Sequence, residues 1–447
     1  MFNRFIVRSI TLNSRTKEGV MELRFVKKQV ICSVCFLLTV GLIAGFSLNA
    51  TAAETIKVGL LETFSGPFEF GGRLHAAGVK FAVDEQNAKG GLLGRKIELI
   101  TEDTEFKPDV ATRKAKKLIL EDKVNLLCQG FGAPISIALN RVATEYKTLY
   151  INYAGAADEL QGKEFSRYAF RVCQTTYALS KGMVKYLATK PYRRFYLINQ
   201  DFASGRDTSA RFKENLKASI PDAVIVGEDF HPFNLKDFGP YITKIMAAKP
   251  DIIFTSNFGT DLTNLISQAR AFGLKAPFPF AATFIADPYP LNELKDDAVG
   301  IYYAHMYSLR VKTPENENMI ARFHGQHKTD KDFLTWWPFG NIGQVILGMQ
   351  MAFAAIEKAG SLDPEKIIQT FEGFEYKTPV GLWSMRACDH QLIMPMFGGT
   401  IEGGPNPFFN GSIRSDVKFP WEGPNLVTIR ANEVTIPATP SYNPRCK

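Results

Sequence analysis

The chain is predicted to be an α/β protein of two lobes, each built on a parallel sheet. Three observations predict it. From residue 56 onward, short apolar runs of high β-propensity alternate with amphipathic stretches of helical period. The alternation comes in two runs of similar layout, about 55–172 and about 176–300. The turns that follow the apolar runs are rich in Gly, Ser, Thr and Ala. Strands separated by helices of about 10–15 residues require crossover connections, and crossovers place neighbouring strands parallel.

The elements follow in order. IKVGLL is a strand, and RLHAAGVKFAVDEQNAKGG is a helix with Leu74, Gly78, Phe81 and Ala82 on one face, ended by Gly90–Gly91. KIELITED is a strand, PDVATRKAKKLILED a helix opened by Pro108. NLLCQGFG, ISIALNRVATEY, TLYINYAG and YAFRV then read as strand, helix, strand and strand. The second run reads ALSKGMVKYLATK, RFYLINQ, GRDTSARFKENLKA, AVIVGEDF, LKDFGPYITKIMAAK, DIIFTSNF, TDLTNLISQARAFG and PFAATF, alternately helix and strand. After residue 300 the alternation weakens. GIYYAHMYSL is a strand, ENENMIARFHGQHK and NIGQVILGMQMAFAAIEKAG are helices, and DPEKIIQTFEG is a short helix with Asp363 as N-cap. TPVGLWSMRACDHQLIMPMFGGTI reads as strands, with Asp389 and His390 adjacent on one of them.

The chain has 447 residues, 45% hydrophobic and 22% charged, which suits two or so domains with ordinary cores. Of its formal charge of +8, +5 sits in residues 1–52, so the rest is nearly balanced and carries no basic face for nucleic acid. Lys27 and Lys28 precede the apolar run Val30–Phe46, and Ala50 and Ala52 form an A-x-A pattern before Ala53. This reads as a cleaved signal peptide over 1–52, with Met21 an alternative start, and it marks the mature chain for export. Export makes cysteine pairing plausible. Cys128, Cys173, Cys388 and Cys446 allow three connectivities. A short Pro-rich tail, SYNPRCK, needs a tether, and Cys388 is the nearest partner for Cys446, so that disulfide is expected. No C-x-x-C or paired histidine at ligand spacing occurs in the mature chain, and no metal is expected.

Open parallel sheets bind ligands beyond the carboxyl ends of their strands. The turns there are TFSGPFEFGG, QGFGAPIS, NYAGAADE, NQDFASG, SNFGTD and TFIAD. Their small residues let backbone N–H groups face a polar head. Phe68, Phe70, Phe131, Phe202, Phe258 and Phe284 supply apolar walls. G-x-G-x-x-G, the P-loop pattern and G-x-S-x-G are all missing, and none of the six histidines has metal or triad spacing. Neither cofactor nor catalysis is expected.

IKVGLLETFSGPFEFGG with FAVDEQNAKGGLLGRKIELITEDTEFKPDVA, followed by INQDFASGRD, PDIIFTSNF, ISQARAFGLKAPF and AIEKAGSLDPEKI, resembles the leucine/isoleucine/valine-binding class of periplasmic substrate-binding proteins. The likeness covers most of 55–400. It implies two Rossmann-like lobes of the type I fold, joined by three crossovers and closing as a hinge. It also implies a monomer that delivers a small solute to the membrane permease of an ABC importer. Lobe 1 is then 53–172, completed by about 303–376. Lobe 2 is 173–302, completed by about 377–430, and 431–447 is a tail. Carried over by position, ligand contacts fall on Ser65, Phe70, Phe131, Ser136, Ala154, Gly155, Ala156, Phe202, Phe258 and Thr283. Amino-acid binders of the class use a hydroxyl where this chain has Ala156 and an acid where it has Ala282. A buried ammonium without a carboxylate is costly. An aromatic or apolar carboxylate or amide is therefore preferred over a branched-chain amino acid, with Asp287 the best-placed acid. A sensory protein of the same fold and an extracytoplasmic enzyme are the rival functions.

Overall fold

A strand buried on both faces has to be apolar nearly throughout, and β1 (Ile56–Glu62) meets that demand with Ile56, Val58, Leu60 and Leu61 almost fully enclosed. In the computed structural model, which describes residues 54–66, 68–275, 278–403 and 420–447, β1 lies inside a five-stranded sheet. The expected signal peptide lies outside the described residues. The sheet also contains β2 (Ile97–Asp103), β3 (Leu126–Gln129), β4 (Leu149–Asn152) and β5 (Ala169–Arg171), in the order β2-β1-β3-β4-β5. All four pairings are parallel. The strand order reverses at β1 and β3, the point where such sheets open a crevice.

The second sheet begins with β6 (Arg194–Gln200), β7 (Val224–His231), β8 (Ile252–Thr255), β9 (Phe280–Ala282) and β10 (Tyr302–His305), paired parallel. The three-stranded sheet of β11 (Glu375–Thr378), β12 (Gly381–Met385) and β13 (Leu392–Ile393) is antiparallel. The chain then returns to the second sheet through β14 (Met396–Glu402), β15 (Trp421–Glu422) and β16 (Val427–Ile429), all antiparallel to their neighbours.

The helices between residues 314 and 371 cover the first lobe. A Cβ on Gly78 would come within 3.0 Å of the Ile342 carbonyl, so its absence lets helix Glu69–Ala88 lie close against helix Gly340–Ala359. Phe323 of helix Pro314–His327 meets Phe81 edge-on at 5.1 Å. The chain thus passes between lobes after β5, after β10 and after β13.

Two expected boundaries move. β10 was expected to help complete lobe 1 but pairs in the second sheet, because Tyr302 aligns with Ala281 of β9. Residues 377–393 were expected in lobe 2. They instead form the small sheet beside β5, where Arg171 Nε donates to Gln391 Oε1 at 2.6 Å. Asp389 and His390 lie in a turn, not on a strand. Asp389 accepts a forked pair of bonds from Arg386, and His390 stacks on Phe170 with ring centres 4.0 Å apart. His390 also meets Glu372 at 2.9 Å, and with Arg445 it holds that carboxyl down at about 2.

The tail is tied to both lobes. Val434 packs in the core beneath the second sheet, while Tyr442 and Asn443 donate to the carbonyls of Asp158 and Gln161. A disulfide joins Cys388 to Cys446, and Cys128 and Cys173 are free and buried. Among the described residues, the one cluster with metal-ligand spacing is that disulfide with Asp389.

Candidate functional site

The six turns meet around one open cleft, whose space, solvent-open part included, is about 980 Å³. The first lobe reaches it from the carboxyl ends of β1, β3 and β4, the second from those of β6, β8 and β9. Three turns hold a glycine in the left-handed region: Gly66 has φ of 78°, Gly132 of 101° and Gly259 of 61°. Gly71 has a different reason. A Cβ there would stand 2.5 Å from the Phe131 ring, which packs flat over the bare backbone.

Among the helices that begin at the cavity wall are Ala133–Tyr146, Ala203–Ser219 and Gly259–Ala271. Their N-caps are Gly132, Phe202 and Phe258, and none is closed by a side-chain hydrogen bond. Side-chain caps occur at Thr175, Thr313 and Asp363, but the helices begun by Lys107 and Phe238, which do not line the cavity, lack them too, so what sets the cavity apart is the convergence of helix ends. First-turn N–H groups have no partner inside their own helix and carry the positive end of its dipole. Three such ends around one cavity favour an anion there.

The rest of the wall is aromatic. Phe131 of the first lobe meets Phe258 of the second at 5.8 Å, and Phe70 stacks on Tyr289 across the mouth at 4.4 Å. Phe202 and Phe284 flank Phe258 at 6.0 and 6.1 Å. Phe68 lies behind this wall, between Phe106, Phe233 and Phe258. Rings spaced at 4.5–7 Å, tilted or edge-on, have the preferred geometry of aromatic pairs.

Polar groups on the wall are few. Asp287 is buried, and Asn341 donates to it through its backbone N–H at 3.2 Å and its Nδ2 at 2.7 Å. This bond crosses from the second lobe to the start of helix Gly340–Ala359. Burial pushes the Asp287 carboxyl up, against the opposing pull of His305. The same burial pushes His305 down, and neither of its ring nitrogens has a hydrogen-bond partner among the described residues. His75 also faces the cavity, with Nδ1 3.2 Å from Glu62 and near enough to Asp287 to act on its charge. Gln174, on the first crossover, lines the wall with an Oε1 that has no partner among the described residues.

The structure brings Phe70, Phe131, Ala154, Ala156, Phe202, Phe258 and Asp287 to the cavity wall. It keeps four other expected residues off that wall. Ser65 is exposed and turns its hydroxyl to Asp103. Ser136 is buried and donates to Gln129 Oε1 at 2.9 Å, beneath the Phe131 turn. Gly155 packs so close to Ser136 that a Cβ would lie 2.3 Å from its Oγ. Thr283 is buried against the Thr255 carbonyl. These last three shape the turns. Sequence reading missed His75, Gln174, Ser204, Thr208, Ser256 and Asn341 as wall residues. Ser204 and Ser256 fall in the quoted turns and were within reach. The other four come from helices or a crossover and carry no local signal.

Residues 55–405 match the model of the periplasmic binding protein family. A Leu/Ile/Val-binding protein homolog 4 of Brucella melitensis is 29% identical over 370 residues, covering 79% of this chain and 86% of that protein. Among solved structures, a leucine-, isoleucine-, valine-, threonine- and alanine-binding protein from Brucella ovis in its closed conformation superposes with a TM-score of 0.76 at 25% identity, over 88% of this chain and 99% of that one. A solute-binding protein of an ABC transporter from Rhodopseudomonas palustris, in complex with 3,4-dihydroxybenzoic acid, gives 0.72 at 25% identity, over 84% and 98%.

Proposed function

The chain belongs to the periplasmic binding protein family and is a solute-binding protein of the ABC-transporter kind, not a catalyst; on that premise we propose that its cleft takes a small aromatic or apolar carboxylate. The carrying observation is the meeting of a phenylalanine wall with three helix N-termini that lack side-chain caps. The wall takes a ring or apolar body, and the helix ends take the acid. Gln174 Oε1 is available to accept a ring hydroxyl. Both oxygens of Asp287 are already engaged by Asn341, which disfavours an α-ammonium group. The relative with 3,4-dihydroxybenzoic acid supports the aromatic choice, and the Leu/Ile/Val-binding relatives support the alternative.

In this reading the N-terminal leader, with its basic flank, apolar run and A-x-A site, sends the protein to the periplasm. There it acts as a monomer that closes on its solute and hands it to a membrane permease. A thermal-shift screen with benzoate, 4-hydroxybenzoate, 3,4-dihydroxybenzoate, benzamide, leucine, isoleucine and valine tests the ligand class. A ligand at 100 times its Kd adds about 2.7 kcal/mol of stability. Shifts with the aromatic acids are expected. Shifts with leucine, isoleucine or valine alone overturn the proposal.

A further inference from the structure

No lysine or arginine lines the cavity among the described residues; His75 is the one basic side chain on its wall. It sits on helix Glu69–Ala88 with Phe70, Gly71 and Leu74, which share the face turned to the cavity. Its ring is enclosed, meeting Phe131 edge-on at 5.7 Å and Tyr153 at 5.6 Å. Behind it lies Glu62, the last residue of β1 and fully buried. Glu62 Oε1 accepts from Tyr153 Oη at 2.7 Å and from the Gly130 N–H at 3.2 Å, in addition to its contact with His75 Nδ1 at 3.2 Å. Glu62 Oε1 already accepts from a hydroxyl and a backbone N–H, so its contact with the ring is met by an Nδ1–H, which leaves Nε2 as the remaining polar atom of the ring.

We propose that His75, held on Glu62 through Nδ1, binds as the imidazolium and donates its Nε2–H to the ligand's carboxylate. This deepens the reading of the cleft as a carboxylate site and rests on it. A buried glutamate needs a cation or several donors, and a buried ligand carboxylate needs the same. One imidazolium between the two satisfies both. The titratable groups around it are Glu62 on β1, Tyr153 after β4, Cys128 on β3 near Glu62, and Asp287 across the cleft. Asp287 accepts from Asn341 on both oxygens, and burial pushes its carboxyl up, which lessens its repulsion of an incoming anion.

The test is calorimetry with sodium benzoate, 4-hydroxybenzoate and leucine at pH 5.5 to 8.5, each point repeated in two buffers of different ionisation heat. For the aromatic acids, binding is accompanied by proton uptake, and Kd weakens as pH rises. His75→Gln, which keeps an N–H for Glu62, loses tenfold or more in affinity at pH 6, together with the proton uptake and the pH slope. Glu62→Gln keeps an acceptor but loses the charge, and weakens binding less. Unchanged affinity and slope in His75→Gln overturn the assignment, as does the absence of proton uptake in the unaltered protein, which needs no variant to fold. Binding of leucine alone, with the same loss in His75→Gln, overturns the aromatic-acid reading and keeps His75. Binding of none of the three overturns both.

Discussion

Each lobe buries a glutamate in its sheet, and the two are treated differently. Glu62, in the first lobe, is met by a tyrosine hydroxyl, a backbone N–H and a histidine. Glu422, on β15 of the second, is bonded by the Ser308 hydroxyl, and its Oε1 has no hydrogen-bond partner among the described residues. Burial pushes the Glu422 carboxyl up to about 8, helped by Asp287 and opposed by Ser308 and Arg310. A buried acid with enough donors can stay charged and orient a neighbour; one without them is held neutral. The first arrangement serves the cleft. The second sits beside the crossover after β10, where its charge is a burden on folding.

The largest expected effect sharpens this contrast. The folded-state value of Glu422 lies above the ordinary 4.5, so the fold carries no penalty from it at low pH. The penalty grows as pH rises from about 4.5 and levels off above about 8. Glu422→Gln removes the titration and should stabilise the protein by up to about 5 kcal/mol at pH 9, with almost no gain at pH 4.5. Urea unfolding at both values checks it; an equal gain at both breaks the contrast.

Next comes the tether that joins the tail to the small sheet. Cys388 and Cys446 are 58 residues apart, and a loop of that size is worth about 4 kcal/mol in the chain-entropy account. Cys446→Ser should lower the unfolding midpoint accordingly and free Tyr442 and Asn443 from the first lobe, seen as faster amide exchange at those residues. Slow exchange there would show that packing alone holds the tail.

Smaller effects separate the cleft walls. Phe202 is half-buried and lines the second lobe's side. Phe202→Ala should weaken benzoate about tenfold with little change in Tm, since its ring covers ligand more than core. Unaltered affinity by calorimetry would remove that turn from the site. The smallest effect is expected at Ser65→Ala, whose hydroxyl serves Asp103 outside the cavity. Benzoate affinity should not move; a loss would mean that the first lobe reaches the ligand through a turn that lies exposed in this structure.

The alternation of apolar runs and helices was legible because period two and period 3.6 are local properties of the chain. The ligand-facing turns were legible too, since Gly132 and Gly259 occupy backbone conformations that other residues resist. His75 was not. Its partner Glu62 is 13 residues back, on a different element, and a lone histidine inside an amphipathic helix looks like any core or surface residue. Gln174 reaches the wall from a crossover and Asn341 from the first turn of helix Gly340–Ala359, and no local pattern records the course of either.

The amino-acid sequence by itself determined the two α/β runs, the aromatic and small-residue character of the turns, and the missing enzyme motifs, because each follows from residue type and spacing. Tertiary structure decided which lobe received β10, β12 and β13, which serines turned inward, and which histidine met the cavity. Those choices rest on pairings between residues far apart in the chain, and such pairings exist only once two sheets have set the distances between them.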